Sequence, residues 1–218
     1  MILLGIDTSA HLCAVCAYDA SLQKVLAEQT SDIGRGHAEL LFDQIEACLK
    51  SSGLEYSDVS RIGVTIGPGS FTGVRVGLAA ARGLGLSLGI DVVGVSTLDA
   101  SETLAYQTGF DGELATLLDA RRDEAYCKWP TGVSEIRKLE DVSRILLEQN
   151  TAICGSAAPI LEEKFNLKNE VIHREGAAPI ELICEIASTK PVDNSSADPL
   201  YLRGADAKSQ TGFTLPRA

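Results

Sequence analysis

The sequence has few histidines and lacks the motifs of several common classes of enzyme. Among its 218 residues there are three histidines, His11, His37 and His173, and no pair of them has the spacing of an H-E-x-x-H zinc motif. The G-x-S-x-G turn of serine hydrolases and the G-x-x-x-x-G-K-[ST] loop of P-loop enzymes are also absent. We therefore predict no catalytic residue and no metal site.

Positive charge is scarce as well. Lys and Arg number 19 against 30 Asp and Glu, and the formal net charge is -11 at pH 7. Affinity for nucleic acid comes largely from cationic side chains that displace counterions from the phosphates. The protein is therefore not expected to bind RNA by itself, and any role near RNA would require a basic partner.

Long apolar runs are missing. The first residues, MILLGIDTSAH, have no basic start and too short an apolar run for a signal peptide. The longest apolar stretch, residues 74–90, contains Arg75 and Arg82 and is too short and too charged to span a bilayer well. We expect a cytoplasmic protein that does not contact a membrane.

Cysteine is present, but its pattern does not resemble a disulfide framework. The six cysteines are scattered through apolar segments, which is typical of reduced thiols in a core. Cys13 and Cys16 form a C-x-x-C inside a strand-like run, where a spacing of three points the two side chains to opposite faces. We expect reduced core thiols, with a redox or metal role of the C-x-x-C as the less favoured alternative.

The apolar pattern predicts an α/β fold made of two related lobes. Residues 1–106 show the order βββαβαβα, and residues 107–218 repeat it in abbreviated form, with a last strand at residues 170–173 and a last helix at residues 178–187. The last segment is expected either to stay in the second lobe or to pack back on the first. Actin-like (ASKHA, RNase H-like) proteins share this architecture, with a cleft between the lobes.

A glycine turn follows the fourth predicted strand. In IGPGSFTG, Gly67 and Gly69 precede Ser70 and Thr72 at the start of a helix, where free backbone N–H groups and the helix dipole favour an anion. The turn predicts a contact with phosphate. A tight strand-to-helix connection without a ligand is the alternative.

The end of the first predicted strand carries polar residues. Asp7 and Thr8 of GIDTSA stand where actin-like folds turn a hairpin around the nucleotide phosphates and the metal. With the glycine turn they predict a degenerate site for ATP or ADP with magnesium. A polar hairpin turn is the alternative, because Asp, Thr and Ser are common in such turns.

The helix after the glycine turn has small residues at every fourth position. Gly73, Gly77, Ala81, Gly85 and Gly89 fall on one stripe, and each glycine lowers helix propensity by roughly 0.8 to 1 kcal/mol relative to alanine. Tight packing must offset that loss. The stripe therefore predicts either a packing seam inside the protein or a helix–helix interface with another molecule.

Several segments together resemble the TsaB (YeaZ) family. They are GIDTS, GHAELL, IGPGSFTGVRVGLAAARGL, GVSTL, LDARRDEAYC and PLYLRGADAK, which lie in the family's order and span nearly the whole chain. The resemblance implies an actin-like fold and a non-catalytic subunit of the machinery that forms N6-threonylcarbamoyladenosine beside the tRNA anticodon. It also implies a catalytic paralogue, TsaD, as partner and an ATPase, TsaE, that joins the pair.

The resemblance also assigns roles to particular positions. Thr97 and Ser101 match the positions of a His-x-x-x-His metal pair in the catalytic paralogue, and neither hydroxyl is a good metal ligand. The family uses its first two helices, here about residues 36–52 and 70–88, to form a bundle with the paralogue or with a second copy. The resemblance therefore implies a partner interface made by Leu41, Ile45, Gly73, Gly77, Ala81 and Gly85.

Our leading hypothesis is a non-catalytic scaffold that activates TsaD and reaches tRNA only through that complex. The alternative is an ATP-dependent phosphotransferase of the sugar-kinase type that uses Asp7 and the glycine turn. A glycoprotease is disfavoured because the metal pair is missing. The short tail after residue 208 puts in doubt any partner contact that a longer C-terminus makes elsewhere in the family.

Overall fold

Five strands form the first sheet of the structure, a computed structural model that describes residues 1–149, 151–191 and 197–203. The strands are β1 (Ile2–Asp7), β2 (Leu12–Asp19), β3 (Lys24–Asp32), β4 (Arg61–Gly67) and β5 (Asp91–Ser96). Their spatial order is β3-β2-β1-β4-β5, with β4 and β5 parallel to β1 and the other pairs antiparallel. The helices are α1 (His37–Ser52), α2 (Phe71–Leu88) and α3 (Thr97–Gln107), with a short 3-10 helix at Tyr56–Asp58. The predicted order βββαβαβα is confirmed.

The second sheet is smaller. Its strands are β6 (Leu114–Asp119), β7 (Glu124–Lys128), β8 (Ser134–Lys138) and β9 (Ala152–Cys154), in the order β8-β7-β6-β9. The remaining helices are α4 (Leu139–Glu148), α5 (Ala158–Phe165) and α6 (Ile180–Thr189). In the described ranges, no helix combines the length and the apolar character needed to cross a membrane.

The predicted strand at residues 170–173 is wrong. Val171 forms only an isolated parallel bridge with Ile153. The backbone N–H of Ile153 donates to Glu170 O and its carbonyl accepts from Ile172 N. Because β9 has only three residues, it offers no further backbone groups with which residues 170–173 could pair as a strand.

Both faces of the first sheet are covered, and β2 shows why its sequence is a continuous apolar run. Cys13 and Val15 enter the core beneath α1 and α2, whereas Ala14 and Cys16 enter the core beneath α6. The predicted opposite orientation of Cys13 and Cys16 is confirmed. All six cysteines are buried free thiols.

Helix α6 comes from the second half of the chain but packs on the first sheet. Glycines in the central strands make room for it, since a Cβ at Gly5 would lie 2.6 Å from Cys184 Sγ and one at Gly63 would lie 2.8 Å from Ala187 Cβ. Arg61 Nη1 donates to Ala187 O at 2.9 Å and so binds the C-terminal carbonyls of the helix. The division of the chain at residues 106 and 107 stays a prediction, and α6 crosses it.

The small-residue stripe of α2 faces the protein's own sheet. A Cβ at Gly73 would overlap Thr8 O, one at Gly77 would lie 2.5 Å from Thr8 Oγ1, and one at Gly85 would overlap Val92. The glycines therefore let the backbone of α2 lie very close to β1 and β5. This is the packing seam inside the protein, one of the two alternatives predicted for the stripe. All six residues predicted as partner interface are buried: Leu41, Ile45, Gly73, Gly77, Ala81 and Gly85. Their role in a partner interface stays a prediction, and most of the surface that a partner docking on α1 and α2 would meet belongs to other residues of these helices.

Candidate functional site

A cleft of about 560 Å³ lies between the two sheets. One wall is formed by the β1–β2 turn and the glycine turn before α2, and the other by the β6–β7 turn and the residues before α5. The polar side chains that line it are Ser9, His11, Ser70, Thr97, Asp119, Arg121, Tyr126 and Ser156. The structure therefore has an open cleft with polar side chains on both walls.

The glycine turn is packed against the β1–β2 turn. Ser70 caps α2 by accepting a hydrogen bond from Gly73 N at 3.2 Å, and its own N–H donates to Ser9 O at 2.6 Å. A Cβ at Gly69 would overlap that same carbonyl oxygen. A carbonyl of the chain itself thus accepts one of the amide protons that an anion at this helix terminus would use.

Asp7 organises the β1–β2 turn. Its Oδ1 accepts hydrogen bonds from Ser9 N at 2.8 Å, Ser9 Oγ at 2.6 Å and Thr65 Oγ1 at 2.8 Å. Thr8 is fully buried, and its Oγ1 donates to Gly73 O at 2.7 Å. These contacts are the ones expected if Asp7 and Thr8 serve a polar hairpin turn, because an Asp side chain stabilises a turn by accepting a hydrogen bond from the backbone N–H two residues later.

The structure separates the residues predicted to bind nucleotide. Gly69 and Ser70 line the cleft, whereas Gly67 is buried with a φ of 93° and Thr72 is exposed on the first turn of α2 outside the cleft lining. Asp7 lines a different cavity of about 400 Å³. Nucleotide binding by this set stays a prediction.

The β6–β7 turn carries a feature that the sequence pattern did not signal. Arg121, Arg122 and Asp123 have φ values of 61°, 55° and 57°, so three consecutive residues other than glycine adopt the left-handed conformation, which is uncommon. The Arg121 side chain is 88% exposed and its Nη1 lies 3.3 Å from Asp119 Oδ2. No glycine marks this turn, and only the LDARRDEAYC resemblance could have drawn attention to it.

A charged contact also joins α3 to the second sheet. Lys128 Nζ donates to Asp99 Oδ1 at 2.6 Å and to Glu102 Oε2 at 2.7 Å. Burial disfavours the charged ammonium, but the hydrogen bonds to the two carboxylates outweigh burial and raise the pKa of Lys128. The ammonium of Lys128 therefore stays charged at neutral pH.

The positions that match the paralogue's metal pair are engaged in protein contacts. Thr97 Oγ1 donates to Pro68 O at 2.6 Å, and Ser101 is buried. His173 Nδ1 accepts from Glu175 N, so Nε2 carries the proton and donates to Ser101 O at 2.9 Å. Among residues 1–149, 151–191 and 197–203, no group of three His, Cys, Asp or Glu side chains could hold a metal ion.

An apolar groove lies between α1 and α2 on the outward side of the two helices. The two helices enclose an open groove of about 550 Å³, called the α1–α2 groove below, which is lined by Ala38, Leu41, Phe42, Val76, Ala79, Ala80, Gly83 and Leu84. Phe42 is 49% exposed and Leu86, on the same helix as Gly83, is 88% exposed. A Cβ at Gly83 would meet no atom within 4 Å, so backbone is accessible from outside at this point.

Comparisons with known proteins agree with this architecture. The sequence profile of a family described as "TsaD: tRNA N6-adenosine threonylcarbamoyltransferase" matches residues 22–155. The tRNA threonylcarbamoyladenosine biosynthesis protein TsaB of Escherichia coli K12 is 31% identical over 224 residues, which cover 93% of this chain and 95% of the relative. An uncharacterised protein of Mycobacterium tuberculosis H37Rv is 33% identical over 187 residues, which cover 84% and 83% of the two chains.

Solved structures share the fold. The structure titled "YeaZ from Pseudomonas aeruginosa" superposes with a TM-score of 0.75 at 24% identity and covers 92% of this chain and 99% of its own. A second Pseudomonas aeruginosa structure, of a protein described as similar to peptidase YeaZ, gives a TM-score of 0.75 at 25% identity, with coverage of 93% and 99%. The chain therefore belongs to the TsaB (YeaZ) family and has its actin-like (ASKHA) fold.

Proposed function

We propose that this chain is a non-catalytic, activating subunit in the formation of N6-threonylcarbamoyladenosine beside the tRNA anticodon, and that it works in the cytoplasm. Its partner is a TsaD-type catalytic paralogue, and a TsaE-type ATPase joins the pair. Curated relatives named TsaB and the matched TsaD family support the pathway. The observation that carries the subunit role is the apolar α1–α2 groove.

The α1–α2 groove has the properties of a helix-docking surface. Contiguous exposed apolar surface on a soluble protein marks an interaction site, and here Phe42 forms one wall of the groove. The small residues Ala79 and Gly83, four apart on α2, allow another helix to approach closely. A helix pair of the related catalytic paralogue is the occupant to which we commit, and a second copy of this chain is an outcome that the test distinguishes.

The division of work between subunits is supported by charge and by side-chain contacts. A net charge of -11 disfavours binding of tRNA by this chain alone, so tRNA reaches it through the complex. The hydroxyls at Thr97 and Ser101 contact protein groups and replace the imidazoles that the resemblance implies for the paralogue. Catalysis is therefore assigned to the partner.

The alternative of a sugar-kinase-type phosphotransferase has weaker support. Asp7 Oδ1 already accepts three hydrogen bonds from the protein, and the Ser70 amide is bonded to Ser9 O. A kinase of this type needs these groups for magnesium and phosphate. Turnover of ATP by the purified chain would favour this alternative.

The test uses two arginine substitutions in the α1–α2 groove, Phe42→Arg and Gly83→Arg, and a matched control on α4, Leu147→Arg. Leu147 is exposed and lies on the second lobe. We expect each groove variant to weaken binding to the TsaD paralogue by about 100-fold, because burying an unpaired charge in an interface costs several kcal/mol. Binding is measured by calorimetry and by size-exclusion chromatography, with circular dichroism as the check on folding.

Formation of threonylcarbamoyladenosine by the reconstituted complex should fall in parallel with binding, and Leu147→Arg should leave both unchanged. Unchanged affinity in both folded groove variants would overturn the proposed interface. If the groove variants lose only self-association while the paralogue still binds, the groove is a homodimer surface instead. Equal loss in the α4 control would point to a surface on the second lobe.

A further inference from the structure

Residues 197–203 cross from the first lobe to the second and touch both walls of the cleft. They lie along the exposed edge of α2 and end at the β6–β7 turn. None of the roles assigned above uses this segment, although it contains the first five residues of PLYLRGADAK.

Polar contacts with Arg82, Ile66 and Arg75 hold the segment to the first lobe. Arg82 Nη2 donates to Ala197 O at 2.8 Å and pairs with Asp198 at 2.6 Å. Leu200 N donates to Ile66 O at 2.8 Å, next to the glycine turn. Arg75 Nε donates to the hydroxyl of Tyr201 at 3.0 Å.

Aromatic stacking strengthens the contact at Arg75. Its guanidinium lies 3.3 Å from the centroid of the Phe71 ring, and the Phe71 and Tyr201 rings are 6.0 Å apart. Such cation–π contacts stabilise a surface cluster modestly. The segment is therefore fixed to the first turns of α2, where the cleft begins.

Arg203 holds the segment to the second lobe. Arg203 Nη2 donates to Ala120 O at 2.8 Å and pairs with Glu124 Oε2 at 2.7 Å. Ala120 and Glu124 are also the two ends of the left-handed turn, since Ala120 N donates to Glu124 O. Arg203 thus contacts both ends of the turn that places Arg121 in the cleft lining.

We infer that residues 197–203 form a clasp that fixes the width of the cleft, with Leu200 as its anchor beside the glycine turn and Arg203 as its anchor beside the β6–β7 turn. The two anchors are three residues apart, so the clasp allows little change in the distance between the two walls. Arg203 also compensates the strain of residues 121–123 by bonding to a backbone carbonyl at the turn. The inference does not depend on which ligand or partner the protein takes.

The test measures the distance between the lobes. Leu22 and Leu147 are exposed on the first and second lobes, so cysteines introduced at both sites can carry spin labels while the native buried thiols stay unlabelled. Double electron–electron resonance should give one narrow peak for the distance between the two labels in the parent protein. In Arg203→Ala the distance distribution should broaden. The rate of amide hydrogen exchange at Glu124 should rise about tenfold, because the turn is no longer held by Arg203.

Leu200→Pro is the second test variant, because it removes the N–H that bonds to Ile66 O and keeps every charge. Arg174→Ala is the matched control, since Arg174 pairs with Glu162 inside the second lobe. A distance peak unchanged in both folded variants would overturn the clasp. Broadening in the control as well would show a charge effect rather than a clasp. If both test variants fail to fold, the segment is part of the core and the inference is wrong.

Discussion

Glycine plays different roles at different residues of α2. Gly73 and Gly77 let the helix contact the β1–β2 turn, where added carbon would meet Thr8. Gly83 faces outward, where added carbon would meet nothing. The same residue type is therefore required at the first two positions for packing, and at the third it leaves room for an approaching molecule.

This difference gives a prediction for single alanine substitutions. Gly73→Ala should lower the free energy of unfolding by about 1–3 kcal/mol, because the new methyl group would overlap the buried backbone carbonyl of Thr8. Gly83→Ala should raise it by about 0.5–1 kcal/mol, because alanine favours the helix and has space there. Urea unfolding followed by circular dichroism measures both, and equal effects of the two changes would contradict the packing of α2.

Helix α6 shows how an element can belong to one half of the sequence and to the other half of the structure. Its buried residues Ile183 and Cys184 pack with Leu3 and Val93 of the first sheet. The sequence contains a signal for this packing that we did not use: Gly5 and Gly63 lie in otherwise apolar central strands, and α6 carries the small residues that fit over them.

We therefore predict that residues 1–110 do not fold by themselves. Without α6, the face of the sheet that carries Leu3, Cys16 and Val93 would be exposed, and the lost apolar burial amounts to several kcal/mol at about 25 cal/mol per Å². The fragment should elute as an aggregate and show no cooperative thermal transition.

Co-expression with residues 111–218 is the control, and it should restore a folded, 1:1 complex of the two fragments. A cooperatively unfolding fragment 1–110 would contradict the assignment of α6 to the first sheet. Failure of both the fragment and the fragment pair would indicate instead that the covalent link is needed for folding.

At the scale of the whole molecule, buried thiols in both lobes make folding sensitive to high pH. Burial raises the pKa of Cys13 and Cys48 to about 11 and that of Cys127 to about 12, from a usual value of 9.0. The thiols of the unfolded chain ionise near pH 9 while those of the folded chain stay protonated. Their contribution to stability is thus fully present below pH 9 and is lost as the pH rises through 11 to 12.

We expect the urea midpoint to be insensitive to these thiols between pH 7 and 8.5 and to fall steadily between pH 9 and 11. The double variant Cys48→Ala/Cys127→Ala should show a shallower fall over the same range, because two of the ionising groups are gone. A parallel decline in the parent and the variant would mean that other groups, such as tyrosine and lysine, cause the loss.

The sequence by itself determined most of the elements and the family. Periodicity of apolar residues predicted the first eight elements in their correct order, and the glycine stripe predicted a close helix contact. These features are local, because strand alternation, helix periodicity and turn residues depend on near neighbours in the chain. The family motifs likewise depend only on the order of residues.

Only the tertiary structure decided what each feature contacts. The stripe of α2 could face a partner or the protein's own sheet, and burial against Thr8 and Val92 decided for the sheet. The sequence allowed Asp7 to hold either a metal or a turn. In the structure its Oδ1 accepts three hydrogen bonds, and one of them comes from Thr65, which is distant in the sequence. The contact of Arg203 with the β6–β7 turn joins residues more than 80 positions apart, which no local pattern encodes, because the chain's path through space brings them together.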